Sequence, residues 1–224
     1  KEALDSVLCQ TLQDIEILCI DDGSTDKTPE ILQDYQKRNE KIRVFTQKNS
    51  GQSPARNRGI EEPAGEYIYF LDSDDKIIPK TLELLYTSAK AKSLDVVYCN
   101  GQTFFESQDL EKKFANFKEY YIRKGPYDRI LNGPELFCRM EKENDIKAQP
   151  CLQMIAKAHL QKYGIRFPEG IIHEDNYFTF AALIHAQRAM CLDNILFYRR
   201  IRRDSVMTKR RTVRNADGQF IAAM

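Results

Sequence analysis

No stretch of the 224 residues approaches the ~18 consecutive apolar positions of a membrane span, and no signal-peptide pattern opens the chain. There is no excess of either charge. Lysine and arginine total 34 against 33 acidic residues, a formal net charge of +1. That balance removes any global electrostatic case for binding nucleic acid. The six cysteines, Cys9, Cys19, Cys99, Cys138, Cys151 and Cys191, include no CxxC pair. Most fall in apolar segments, which excludes a disulfide or zinc framework and predicts buried thiols in a reducing, cytoplasmic setting. No glycine-rich phosphate loop with its lysine is present, which argues against a nucleotidyltransferase of that type. Neither an internal repeat nor a low-complexity linker marks a boundary, so residues 1–224 read as one domain with ample length for a core.

Strand and helix signals alternate over the first hundred residues. KEALDSVLCQTL has amphipathic spacing, with Leu4, Val7, Leu8 and Leu12 on one side. Ile15 to Ile20 is an apolar run of the kind found in parallel sheets, and it stops at Asp21-Asp22-Gly23-Ser24-Thr25-Asp26. Glycine there permits a tight turn, Ser24 or Asp26 is a capping residue, and Pro29 suits the first turn of the next helix. A strand at Ile42–Phe45, a short helix at Ser53–Ile60, a strand at Tyr67–Leu71, a helix through Leu82, Leu85, Tyr86 and Ala89, and a strand at Asp95–Cys99 follow. The alternation predicts an α/β fold, with a mostly parallel sheet flanked by helices. Beyond residue 100 the pattern becomes mixed. It reads as a charged, aromatic loop or antiparallel excursion at 106–127, helices near 133–143 and 150–162, an apolar helix at Tyr177–Ala186, and short strands near 188–192 and 195–198. Arg199-Arg200-Ile201-Arg202-Arg203 closes the pattern.

The most informative stretch is EYIYFLDSDDKIIP, residues 66–79, where an apolar strand runs into Asp72, Asp74 and Asp75. Adjacent carboxylates repel by roughly 1 kcal/mol per pair in water and by more at lower dielectric. A hard divalent cation such as Mg²⁺ or Mn²⁺ relieves that repulsion and commonly shares its oxygen ligands with phosphates. The Asp21/Asp22 pair ends a second strand on the same side, where ligands of such sheets sit. Capping of the following helix is the structural alternative for Asp74 and Asp75.

The stretches EILCIDDGSTDKT, NSGQSPARNRGI, YIYFLDSDD and HED before a helix fall in an order and spacing that resembles the family 2 glycosyltransferases, inverting enzymes of GT-A fold. The resemblance covers residues 1 to about 200. It implies transfer of a sugar from a nucleotide-sugar, with a UDP-sugar as the expectation, to a glycan or lipid-linked acceptor in envelope, capsule or lipopolysaccharide synthesis. The site would be cytoplasmic, with peripheral contact on the inner membrane face. Residues 1–100 would form the nucleotide-sugar half and 101–224 the acceptor half. The family usually begins with an apolar strand and a Pro-Val-Tyr-Asn-like turn just before the helix that opens this sequence, and that strand is absent here.

By the same resemblance, Asp74 would bind the Mn²⁺ or Mg²⁺ directly and Asp72 the ribose or the metal's water shell. Asp21 and Asp22 would contact base and ribose, and Arg56 a phosphate or ribose, with Arg58 on a solvated helical face. Asp175 matches the base that deprotonates the acceptor, with Glu174 as its alternative. A helix N-terminus there would keep the Asp175 carboxylate ionised, and an N-cap is its plain structural role. Arg199 and Arg202, with Ser205 and Met207 in the attached loop, would fold over the donor diphosphate; a basic face on anionic lipid is the competing reading. Residues 112–123 would meet either an acceptor glycan or a membrane. His173 reads as a loop histidine, and His159 and His185 as helix residues. A sugar-nucleotide-binding protein without catalysis is the remaining alternative, and the presence of Asp175 argues against it.

Overall fold

A computed structural model describes residues 1–203. The chain opens with α1 (Glu2–Leu8), then β1 (Ile17–Asp21), α2 (Thr28–Arg38), β2 (Ile42–Thr46), α3 (Gln52–Glu61) and β3 (Tyr67–Tyr69). It continues through β4 (Lys76–Ile77), α4 (Thr81–Lys92), β5 (Val96–Phe105), α5 (Gln108–Lys113) and α6 (Gly133–Lys142). The remaining elements are β6 (Gln153–Ala156), α7 (Lys157–Tyr163), α8 (Glu174–Ile184) and β7 (Ala189–Ile201), with single 3₁₀ turns at Ala115–Phe117 and Pro150–Leu152. Local chemistry explains many of the boundaries. Pro29 sits in the first turn of α2 and Pro134 in that of α6, where a missing N–H costs nothing. Asn132 caps α6 by accepting from the Glu135 N–H at 2.9 Å. The turn after β1 needs Gly23, which has φ +75° and packs so closely on Asn49 that a Cβ would lie 2.8 Å from its nitrogen.

Among the described residues, β1 and β2 form a parallel pair, and the other five strands form a sheet in the order β3-β6-β5-β7-β4. The mixed α/β architecture agrees with expectation, but its strand directions do not. Parallel pairing holds for β1–β2 and β5–β7, whereas β3–β6, β5–β6 and β4–β7 are antiparallel. The cause is local. Residues 150–162, expected as one helix, instead make a 3₁₀ turn, strand β6 and then α7, and β6 inserts between β3 and β5. A strand arriving from the second half of the chain thus reverses the pairing of the first. The two short strands expected after residue 188 are one 13-residue strand, and Arg199–Ile201 lie inside it.

The first four residues of β5, Val96 to Cys99, are apolar without interruption because both faces are covered there. Val96 and Tyr98 join the core beneath α6, α7 and α8, while Val97 and Cys99 join the core beneath α4, as the period-2 alternation of a strand requires. Phe70, Phe167 and Phe178 stack in the first core, and Leu85, Ala89 and Phe197 fill the second. Cys99, Cys151 and Cys191 are buried as expected and all six cysteines are free thiols, but Cys9 and Cys138 are exposed and Cys19 is half-buried. Among the described residues no helix is long and apolar enough to cross a membrane.

Candidate active site

The DSDD turn hangs between the ends of β3 and β4, and it caps no helix. α4 begins only at Thr81, with Lys80 at its N-cap, so the capping alternative for Asp74 and Asp75 is removed. The turn is instead fastened to the end of β7. Asp75 is 3% exposed and accepts the Arg200 N–H at 2.8 Å. The Arg200 Nε donates to the Asp74 carbonyl at 2.9 Å, and the Arg202 Nε to the Asp74 carboxylate at 2.9 Å. Burial, reinforced by the negative charges of Asp72 and Asp74 against the Arg200 N–H, pushes the Asp75 carboxyl up to about 7. These contacts correct the reading of Arg199–Arg203 as a free closing segment after the last strand. Arg199 and Arg200 belong to β7 itself, and Ser205 and Met207 lie outside the described residues.

Asp72 is the hub. Its carboxylate accepts from Arg56 Nη2 at 2.9 Å and from Gln149 Nε2 at 3.2 Å. The other guanidinium nitrogen of Arg56 donates to Glu174 Oε1 at 3.0 Å. One arginine on α3 therefore ties the carboxyl end of β3 to the amino end of α8, across 118 residues of sequence. Gln149 continues the chain of contacts, its Oε1 accepting from Arg199 Nη1 at 3.1 Å, and Arg199 also donates to the Tyr121 hydroxyl. Gln149 and Tyr121 carry no motif and were not anticipated. The one available signal was the Lys/aromatic stretch containing Tyr121.

Asp175 occupies the second position of α8, not its N-cap, which is His173 in a left-handed conformation (φ +73°). It is half-buried, accepts from the Asn176 N–H at 3.0 Å, and makes no ion pair among the described residues. Burial raises its carboxyl above the ordinary aspartate value, with Arg56 opposing. Burial also raises Glu174, and its carboxylate is committed to Arg56.

The Asp21/Asp22 pair divides. Asp22 accepts from Gln47 Nε2 at 2.9 Å, from the Ser50 N–H at 2.9 Å and from the Gly51 N–H at 2.7 Å, so its charge clamps the loop after β2. Partial burial resists that charge, but the donors outweigh it and lower the carboxyl. Asp21 is 3% exposed, and its Oδ1 accepts from the Ser24 N–H at 3.1 Å. Its Oδ2 is buried without any partner. A buried acceptor left open is costly unless a ligand donor or water meets it. Arg58 packs over the Phe45 ring at 4.7 Å. His159 is a buried helix residue facing the Ala182 carbonyl, and His185 stacks on Tyr163.

The residues suit a divalent cation. Asp72, Asp75 and the Cys151 thiol present ligand atoms within 4.8 Å of one another, whereas Asp74, the expected direct ligand, is not in that group and pairs with Arg202. Carboxylate oxygens predominate, as Mg²⁺ and Mn²⁺ prefer. Cys151 is fully buried, and burial raises its thiol well above the ordinary value.

Comparison with known proteins bears on family and fold. The family model described as Glycosyl transferase family 2 matches residues 1–143. The chain is 32% identical over 200 residues to the uncharacterized glycosyltransferase EpsJ of Bacillus subtilis, covering 88% of this chain and 56% of that protein. It is 30% identical over 190 residues to the cholesterol galactosyltransferase of Borreliella burgdorferi, covering 84% of this chain and 52% of that one. The chain thus spans about half the length of these curated relatives. Among solved structures, S. aureus TarS 1-349 in complex with UDP-GlcNAc superposes with a TM-score of 0.78 at 22% identity, over 99% of this chain and 61% of that one, a likeness of fold. The chain belongs to the Glycosyl transferase family 2, and its fold is of the GT-A type.

Proposed function

We propose that this domain transfers a sugar, with inversion, from a nucleotide-sugar to a hydroxyl of a glycan or lipid-linked acceptor in envelope polysaccharide synthesis, and that the donor is a UDP-sugar. One observation carries the proposal: the Arg56 guanidinium bonds both Asp72 and Glu174, bringing the DSDD turn and the start of α8 to one place. Family membership supports the reaction class. The UDP-GlcNAc bound by the TarS neighbour supports the donor class.

Each side chain then has a task. The open Oδ2 of Asp21 suits a ring N–H of the base, while Asp22 holds the loop that walls the pocket. Asp74 and Asp72, with Asp75 beside Asp72, would hold Mn²⁺ or Mg²⁺, which would neutralise the charge that grows on the leaving group. Arg56 orients Asp72 and faces the phosphates or ribose. Arg199 and Arg202 face the diphosphate from β7 and the residue just past it. Asp175, which makes no ion pair among the described residues and is raised by burial, takes the proton of the acceptor hydroxyl. The acceptor oxygen forms its bond to the anomeric carbon from the side opposite the diphosphate. The bond from that carbon to the diphosphate oxygen breaks, and the nucleoside diphosphate leaves with the electron pair. Glu174, bound to Arg56, positions the cation and leaves the base role to Asp175.

The test is to incubate the full-length protein with a panel of nucleotide-sugars and Mn²⁺, following nucleoside diphosphate release. Metal-dependent release that EDTA abolishes is the expected result. No release with any donor, together with no thermal shift from UDP, would refute the assignment.

A further inference from the structure

We infer that Gln149 is the positioning residue of this site, an amide spacer that keeps the Arg199 guanidinium from closing onto Asp72. The inference rests on the reading of that pocket as a metal–diphosphate site. Four arginines approach the DSDD turn, and three are already charge-compensated. Arg56 pairs with Asp72 and Glu174, Arg200 with Glu2 and Glu106, and Arg202 with Asp74. Among the described residues no carboxylate lies within ion-pair distance of Arg199, whose contacts are a phenol and an amide. Asp75 and Asp72 act on its charge through space, but no carboxylate among the described residues fixes it in a direct pair.

Gln149 is what stands between that charge and Asp72. Its Nε2 donates to Asp72 Oδ2 at 3.2 Å, and its Oε1 accepts from Arg199 Nη1 at 3.1 Å. The amide orientation follows from the partners, since a carboxylate only accepts and a guanidinium only donates. A primary amide is the side chain that serves both at once while carrying no charge. The residue is 8% exposed and immediately precedes Pro150, which restricts it to the extended backbone it adopts (φ −73°, ψ 118°). Tyr121 steadies Arg199 from its other side and packs edge-on against Phe197. Remove the amide, and nothing that bonds both groups is left to hold Arg199 and Asp72 apart. A direct pair would consume both the cation needed for a diphosphate and a carboxylate needed for a metal.

The experiment measures Mn²⁺ affinity by electron paramagnetic resonance and nucleoside diphosphate affinity by calorimetry, with UDP first and then GDP, CDP and ADP, on the full-length protein. For Gln149→Ala, Mn²⁺ affinity should fall at least fivefold. Adding Arg199→Ala should restore it to within twofold of the wild type, because the competing guanidinium is gone. A general packing defect would not be repaired by a second truncation. Gln149→Glu keeps the volume and pairs Arg199 directly, so UDP should weaken about tenfold while Mn²⁺ does not weaken. That variant decides the matter if Gln149→Ala fails to fold. Mn²⁺ and UDP affinities unchanged in the single variants, or a Mn²⁺ loss that persists in the double variant, would overturn the inference. A wild-type protein that binds Mn²⁺ with none of the four nucleotides would instead overturn the donor-site reading on which it rests.

Discussion

Replacing Arg56 by methionine tests the junction of the site in isolation from catalysis. Methionine keeps most of the volume and the packing over the Phe167 ring, but it strands Asp72 and Glu174 without their shared cation. Breaking a buried pair by removing one partner costs roughly 3–5 kcal/mol. Asp72 retains 27% side-chain exposure against 9% for Glu174, and solvent recovers part of that cost. The expected loss is therefore about 3 kcal/mol, or a fall in Tm of about 6–12 °C for a chain of this size. The deficit also has a pH signature. Burial already holds Glu174 above the ordinary carboxyl value with Arg56 pulling it down, so removing Arg56 raises it further. A carboxyl whose folded value exceeds its unfolded value of ~4.3 is most favourable to the fold when protonated, and its contribution falls as pH rises through that window. The difference between variant and wild type should thus be largest at pH 7–8 and shrink toward pH 4–5. Arg56→Lys, which places a point charge where a fork is needed, should fall between the two. Thermal unfolding followed by circular dichroism from pH 4 to 8 measures all three proteins. A Tm loss under about 3 °C, or one independent of pH, would refute the bridging role.

Three other outcomes follow from the geometry. Asp175→Asn should lower the rate of sugar transfer by at least about 100-fold while leaving UDP affinity within twofold. In the wild type, activity should rise with pH through a value above the usual aspartate range, because the base acts only when ionised and burial raises it; an acidic limb near pH 4 would sink that role. Gly133→Ala should destabilise by about 3 kcal/mol, the upper end of overpacking costs, since its Cβ would lie 1.6 Å from the Leu183 carbonyl oxygen where α6 crosses α8; urea denaturation reads this, and a neutral result contradicts the close approach. Asp145→Asn should cost about 2 kcal/mol at pH 7 by weakening the bonds from the Lys124 and Gly125 N–H groups and the Tyr127 hydroxyl. Burial opposes that aspartate's charge, yet those donors outweigh it and depress the carboxyl, so the wild type's advantage should persist above pH ~4 and vanish on acidification.

Strand and helix positions before residue 100 were legible because each carries its own period. β1, α2, β2, α3 and α4 lie within a few residues of where the apolar runs and Pro29 place them. β6 was not legible. Gln153–Ala156 is a four-residue buried segment flanked by a 3₁₀ turn and a helix, and a short apolar run of that kind has no period to distinguish it from helix. Its insertion between β3 and β5 reversed the expected strand directions, a tertiary outcome that alternation along one half of the chain does not encode.

The candidate site divides along the same line. Asp72 and Asp74 stand out because like charges crowded at a strand end are costly, whereas Arg56, Glu174 and Asp175 are marked only by the family resemblance of the SPARN and HED stretches. Gln149 and Tyr121 are uncharged and sit beside segments whose structure was itself misjudged, so nothing local marks them. Yet they decide what the charged residues can do. Three arginines at the DSDD turn are neutralised where they stand, and the fourth keeps its charge because its neighbours are an amide and a phenol. A charge count along the sequence would credit all four arginines to the diphosphate. Of these four, Arg199 is the one that makes no direct ion pair among the described residues, and a neutral residue bonded to both it and Asp72 is what makes the difference.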